Sequence, residues 1–387
     1  MRASTDRILT THVGALPASP EFLEVSDVTD ERLFAAVREV VAFQRAAGVD
    51  LVNEGELTKS GNWVSFVNDR LTGFQPREAG ASAALLMDSQ DWRDFGDFYK
   101  AATEGGTLFE QTATAPNQMR SMDWGCSGPI TYCGQAALTR EINALLQALG
   151  GSPSGDAFLT STAPASIEPG RQNDHYKTQE EFVFALADAL SVEYEMIAKS
   201  GLMVQVDDAW LAALWDRIGI PMGMDAYKRY CAVRVEALNH ALRNIPAEQV
   251  RYHLCWGSWH GPHSQDIAMA DIVDILLSVK AQTYLFEAAN VRHEHEFVVW
   301  ETVKLPDDKI LAPGVVSHST TLIEHPELVS SRIQRFANIV GRERVVASTD
   351  CGLGLRCHPQ IAWAKLKALS EGAALASKTL WGRRSAA

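Results

Sequence analysis

A (β/α)8 TIM barrel with an insertion after its second strand is the α/β fold class this sequence predicts, and three observations carry the expectation. Eight short apolar or β-branched runs recur, most of them separated by helical patterns, the rhythm of a parallel sheet with crossover helices. Ionisable residues collect at the C-terminal ends of several runs, where barrel enzymes build their sites and a merely structural barrel has no reason to gather them. The length, 387 residues, accommodates one barrel whose loops carry insertions.

In chain order the strand candidates are ILTTHVG (8–14), DLVNEGE (50–56), AFLTSTAP (157–164), LMVQVDDA (202–209), YHLCWGS (252–258), TYLFEAAN (283–290), ILAPGVVS (310–317) and VVASTDCG (345–352). A ninth run, GPITYCG (128–134), lies in a Gly-, Trp- and Asp-rich stretch from about 75 to 150 that reads as an inserted subdomain, so it is left outside the ring. Helices are marked by their ends. Thr178 and Glu181 form a capping box ahead of Phe182, Ala185, Leu186, Ala189 and Ile197, and Gly201 stands where a C-cap belongs. Pro326 opens another helix, with Val329, Ile333, Phe336 and Val340 on one stripe and Gly341 closing it. The expected organisation is a single barrel domain over 1–387 with an inserted subdomain at about 75–150.

Hydrophobic residues make up 46% of the chain and charged residues 21%, a globular balance able to fill a large core. A formal net charge of −13 repels phosphate backbones and anionic lipid, which argues against nucleic-acid and membrane partners and favours small-molecule chemistry. The amino terminus MRASTDRILTTHVG lacks a signal peptide's apolar core, and no stretch approaches the length of a spanning helix, so a cytoplasmic location is expected. Six cysteines, Cys126, Cys133, Cys231, Cys255, Cys351 and Cys357, are too few and too scattered for a disulfide framework.

Two of them stand in a metal-ligand pattern. Residues i and i+2 of a strand share a face, so His253 and Cys255 both aim into the barrel mouth. Glu287 ends the next strand and Cys351 the last one, so a nitrogen, two sulfurs and a carboxylate oxygen can converge on one tetrahedral ion. Thiolate with imidazole favours zinc over magnesium or calcium. A lone His-x-Cys is more often a core histidine beside a buried thiol. What lifts this one is Cys351 in TDCGLGLR: flanked by an acid and two flexible glycines, it makes a poor packing residue and a workable ligand loop.

These residues resemble the C-terminal catalytic barrel of cobalamin-independent methionine synthase and related zinc-dependent alkyl-thiol transferases, over nearly the whole chain. TTHVGALP is similar to that family's first-strand motif, VNEGE to its second-strand acid, QVDDA to its Asp-Glu-Pro-like segment, HLC to its His-x-Cys pair and TDCGL to its final zinc cysteine. The resemblance implies Zn2+ bound by His253, Cys255, Glu287 and Cys351, with Glu56 and Asp207 holding the polar end of a thiol substrate, and His12 and Ser319 beside them. It implies a transferase that moves an alkyl group, methyl in the synthases, onto a thiol activated as a zinc thiolate. Its partners are then a small-molecule thiol and an alkyl donor, with a homo-oligomer left open. Departures bear on the donor. Ala15 stands where the synthases have serine, Asp208-Ala209 replaces Glu-Pro, and VVSHSTTLIEHPE leaves His318 and Ser319 as alternatives for the synthases' histidine. The chain also has no room for the second barrel of full-length synthases. Segments such as FEAANVRHEHE look like the branch that includes epoxyalkane:coenzyme M transferase, which opens an epoxide instead.

The leaving group needs an acid, for which His318, Asp208 and Asp350 are the candidates, with His293 and His295 behind them. His260 and His263 read as a loop over the site. Arg292, Arg356 and Trp256 are open between substrate recognition and plain packing, and the Trp-rich stretch 92–124 between a lid and an oligomer contact. Two rival readings differ in class: a non-catalytic barrel whose zinc fixes loops, and, more remotely, a metal-free decarboxylase like the uroporphyrinogen enzymes. A closed four-ligand site favours the first rival, and the ligand-type residues argue against the second.

Overall fold

The computed structural model describes residues 1–18, 28–59, 66–77, 88–108, 123–151, 156–354 and 356–382. Parts of the expected insertion and of the Trp-rich stretch lie outside the described residues. Seven strands form one parallel sheet: β1 (Leu9–Thr10), β4 (Phe158–Thr162), β6 (Met203–Asp208), β7 (Val250–Leu254), β8 (Thr283–Phe286), β9 (Ile310–Val316) and β10 (Val346–Thr349), in the order β1-β10-β9-β8-β7-β6-β4. Residues 50–53 close the ring as an eighth stave too short to count as a strand. On one side Asp50 and Leu51 donate to the Thr10 carbonyl, and on the other Val52 exchanges hydrogen bonds with Asp156 and Phe158. The barrel expectation therefore holds, with the second stave reduced to a single bridge, Val52 to Ala157.

The helix layer follows from the capping signals. Helix α1 (Asp30–Ala46) lies between β1 and the second stave, and α2 (Gln135–Ala148) runs ahead of β4. Crossovers α3 (Gln179–Lys199), α4 (Met224–Ala241), α5 (Met269–Ser278) and α6 (Pro326–Val340) alternate with the later strands, and α7 (Pro359–Trp381) follows β10. Thr178 accepts from the Glu181 N–H at 3.0 Å, and the stripe of Phe182, Leu186, Ala189 and Ile197 is buried. Helix α6 ends at Gly341, whose φ of 95° is open to glycine at little cost. Outside the ring, β2 (Phe74–Arg77), β3 (Asp123–Cys126) and β5 (Arg171–Asn173) make a small sheet of their own. The GPITYCG run lies beside it and touches the segment before β2 through the Leu71–Tyr132 bridge.

Apolar residues fill the lower barrel: Leu9, Val13, Leu51, Phe158, Met203, Leu285, Ile310, Ala312 and Val346 form one buried cluster. Above it the inward positions turn polar. The Arg251 guanidinium, wholly buried, lies 3.7 Å over the Phe158 ring and donates to Thr11 Oγ1 and the His12 carbonyl. Gln205 pairs in register with Arg251, and Asp207 with His253, so the strands deliver polar side chains upward toward the C-terminal rim tier by tier. Among the described residues no helix is long and apolar enough to cross a membrane.

Candidate metal centre

Strand β7 ends at Leu254, and its inward face continues through His253 into Cys255. Cys351 follows directly on the stave of β10, and its Sγ lies 3.9 Å from Cys255 Sγ. The ligating atoms of His253, Cys255 and Cys351 all lie within 4.8 Å of one another. His253 Nδ1 is 3.1 Å from Asp207 Oδ1, which fixes the ring and leaves Nε2 buried with no partner. An orphaned imidazole nitrogen facing two sulfurs is the arrangement a thiophilic cation completes. Two sulfurs bound at about 2.3 Å around a tetrahedral zinc stand roughly 3.8 Å apart, so the observed spacing fits that ion.

Glu287 stands beside this triad and belongs to a second group. Its Oε1 is 3.8 Å from Cys255 Sγ and accepts the Trp256 N–H at 3.1 Å, while Oε2 accepts from Asn290 Nδ2 at 2.6 Å. Glu287, His318 and Asp350 in turn have ligating atoms within 4.8 Å of one another. Asp350 Oδ1 takes the backbone N–H groups of Ala288 and Ala289, both at 2.8 Å, and its Oδ2 is a buried orphan, as is His318 Nδ1. Gly314 makes room for this carboxylate, because a Cβ there would collide with Asp350 Oδ1.

The electrostatics follow from burying so many acids together. A hydrogen bond from Cys255 lowers the Cys351 thiol to about 6 and raises Cys255 well above its ordinary value, so the pair shares one proton in the metal-free protein. Burial raises Glu287 to about 8, with His293 nearby opposing it, and raises Asp350 to about 6. Burial alone would lower His253, yet the Asp207 hydrogen bond and charge carry it up to about 9. His318 is pushed well below its ordinary value, first by burial and then by Arg356 and neighbouring histidines.

Across the mouth stands a wall of carboxylates. Glu56, at a φ of 57° that a non-glycine residue adopts only under constraint, receives the Thr160 hydroxyl at 2.8 Å. Lys59, buried, donates to the Thr160 carbonyl at 2.7 Å and also to its hydroxyl. Gly14 must lack a side chain here, since a Cβ would meet Glu56 Oε1. Burial and the facing charge of Asp207, opposed by Lys59, leave Glu56 raised to about 7. Asp207 Oδ1 is shared between His253 and Gln205 Nε2, the latter at 2.8 Å.

The family profile described as "Cobalamin-independent synthase, Catalytic domain" matches residues 151–374, more than half of the chain. The chain belongs to this family. Its curated relatives include the methionine synthase of Saccharolobus solfataricus, 24% identical over 377 residues, 94% of this chain and 93% of that protein. That of Sulfurisphaera tokodaii is 22% identical over 385 residues, covering 96% and 93%. Among solved structures, a B12-independent methionine synthase from Shewanella in complex with selenomethionine superposes with a TM-score of 0.72 at 18% identity, over 97% of this chain and 100% of that one. A putative vitamin-B12-independent methionine synthase from Listeria monocytogenes gives 0.64 at 16% identity, over 99% and 100%. Family membership covers β6 to β10, the strands that deliver His253, Cys255, Glu287 and Cys351 to the rim.

Not every residue singled out in the sequence reaches this cluster. Asp208 points the other way along β6: Ser166 and the Leu211 N–H hold one oxygen at 2.7 and 3.2 Å, and Tyr252 holds the other at 3.0 Å. The strand alternation that sends Asp207 inward sends Asp208 into the helix layer, which corrects its reading as an acid. His12 Nε2 is engaged by Gln44 of α1 at 2.8 Å, and its ring rests against Phe158, so it is tied to the barrel wall. Ser319 is an exposed rim residue hydrogen-bonded to Ser317 at 2.8 Å, and His295 is exposed. Lys59, Gln205, Arg251 and Asn290 carry parts of the site with no local motif. Only the alternation from Gln205 to Asp207 signals any of them.

Proposed function

We propose that this protein methylates a substrate thiol, homocysteine, using a zinc ion held by His253, Cys255 and Cys351 with Glu287 as the neighbouring carboxylate. The observation that carries this reading is the convergence of two sulfurs and an orphaned imidazole nitrogen at the rim of a barrel of this family. When bound, zinc lowers the pKa of a coordinating thiol so that sulfur attacks as a thiolate at neutral pH.

The chain's own residues do the rest. Asp207 orients the His253 ring through Nδ1 and leaves Nε2 as the nitrogen with no partner. Glu56 and Asp207, with the buried Lys59 opposing part of their charge, make this side of the mouth acidic, which suits an ammonium group and disfavours a sulfonate. That is the argument for an amino-acid thiol over a coenzyme M-like one. As sulfur bonds to the methyl carbon, the bond from that carbon to the donor breaks and the leaving atom takes a proton. Asp350, near 6, is the better-matched acid, and His318, its imidazole kept neutral by burial and with a ring nitrogen within 4.8 Å, would pass the proton on.

The test is a thiol panel of homocysteine, coenzyme M and glutathione, crossed with methyl donors and epoxides on the zinc-loaded protein and read by product mass. Methionine from homocysteine is the expected product. A hydroxyalkyl thioether from coenzyme M moves the protein to the epoxide-opening branch, and no thioether from any pair overturns the reading.

A further inference from the structure

Asp91 belongs to the short helix Gln90–Asp94, which lies between the second and third staves, and is 1% exposed. A carboxylate so buried needs donors, and its donors identify what it serves. Tyr99 OH donates at 2.5 Å, the His263 N–H at 3.2 Å, and Ser264 through both its N–H at 3.0 Å and its hydroxyl at 2.5 Å. Three of these four come from the loop that follows Cys255. The same segment grips that loop three times more: Tyr99 OH accepts from Trp259 Nε1 at 3.1 Å, the Leu108 carbonyl accepts the His260 N–H at 2.6 Å, and Asp94 Oδ2 accepts from Gln265 Nε2 at 3.4 Å.

From there a continuous chain of contacts runs back to the candidate metal centre. The His263 ring stacks on Trp259 at 4.1 Å, and its Nδ1 meets Asp266 at 3.0 Å. Asp266 reaches His293 Nε2 at 3.1 Å, and His293 lies against Trp256 with ring centroids 4.4 Å apart. The backbone N–H of Trp256 donates to Glu287, and that of Gly257 to Cys255 Sγ at 3.3 Å. His263 sits at a φ of 53°, a left-handed conformation that a non-glycine residue keeps only where its surroundings hold it.

We propose that Asp91 is a positioning residue: it locks the loop 256–267 over the rim in the one conformation that gives Glu287 and Cys255 their backbone donors. This rests on the metal reading only for its last step. Among the described residues, the hydrogen bonds to the Asp91 carboxylate come from Tyr99, His263 and Ser264, outside the barrel strands, so the clamp is separable from the fold.

The test compares Asp91→Ala, Asp91→Asn and Tyr99→Phe with the exposed Asp97→Ala as control. Hydrogen exchange of the metal-free protein, read by mass spectrometry, is expected to quicken about tenfold at 256–267 in Asp91→Ala and less in Asp91→Asn, which keeps one acceptor oxygen, with β6 to β10 unchanged. Zinc-loaded protein is expected to lose its ion to a chromophoric chelator about tenfold faster in Asp91→Ala, at equal initial zinc content. Unchanged exchange in all three variants overturns the clamp. Faster exchange with unchanged zinc transfer overturns its link to Glu287 and Cys255. A wild-type protein that holds no zinc defeats the metal reading instead, and the exchange experiment still decides the clamp. Should Asp91→Ala fail to fold, Asp91→Asn and Tyr99→Phe carry both measurements.

Discussion

At the ends of β7 and β10 the ligating atoms are lightly held: His253 Nε2 has no partner, and Cys255 Sγ takes only the Gly257 N–H at 3.3 Å besides the Cys351 and Glu287 contacts. Around Glu56 and β6, two acids facing the mouth are tethered. Glu56 is held by Thr160, and Asp207 by Gln205 and His253. Lightly held sulfurs beside an unpartnered imidazole nitrogen suit a metal ion, whereas tethered carboxylates beside one buried lysine suit an organic cation. The difference teaches that one ring of strands can carry two binding chemistries, divided by whether the neighbours leave a donor atom free.

The comparison breaks most sharply at His253. Replacing it by alanine is expected to abolish zinc retention and lower methyl transfer on the order of a thousandfold, several kcal/mol of transition-state stabilisation. Zinc analysis and steady-state rates check it, and full zinc with full activity would sink the metal side. Asp207 and Asp208 sharpen the contrast, being neighbours on opposite faces of β6. Asp207→Asn is expected to weaken zinc binding about 10- to 100-fold by freeing the His253 ring. Asp208→Asn is expected to lower folding stability by about 1–3 kcal/mol while kcat stays put. Chelator competition and denaturant melts distinguish them.

Smaller effects belong to the carboxylate wall. Glu56→Gln removes a charged contact and is expected to raise KM for the amino thiol about tenfold or more with zinc content unchanged. An unchanged KM would mean that the thiol's ammonium lies elsewhere. Glu54, two residues before Glu56, is an untethered acid: both its oxygens are buried without partners, and burial raises it from 4.5 to about 8. A raised carboxyl favours the native state while protonated, so its contribution is whole below about 4.5 and is lost as pH rises through about 8. Glu54→Gln should therefore leave the melting temperature alone at pH 5 and raise it at pH 9, and the reverse order would contradict the assignment.

Much of this was legible in the chain. The strand runs, the capping box at Thr178 and the i, i+2 placement of His253 and Cys255 are local signals, and local signals survive folding. The same alternation rule, applied one residue further along β6, turns Asp208 away. The tie of His12 to Gln44 is brought about by α1, a contact no spacing reveals. The Lys59 tether through Thr160 and the Asp91 clamp join segments more than 100 residues apart in sequence and exist only once the barrel closes.

Zinc K-edge X-ray absorption, on protein loaded with one equivalent of zinc and measured with and without homocysteine, tests the central claim most directly. Two sulfur neighbours per zinc rising to three on adding the thiol is the expected result. A sulfur count that stays the same would mark the zinc as a structural ion and contradict thiol activation at this site.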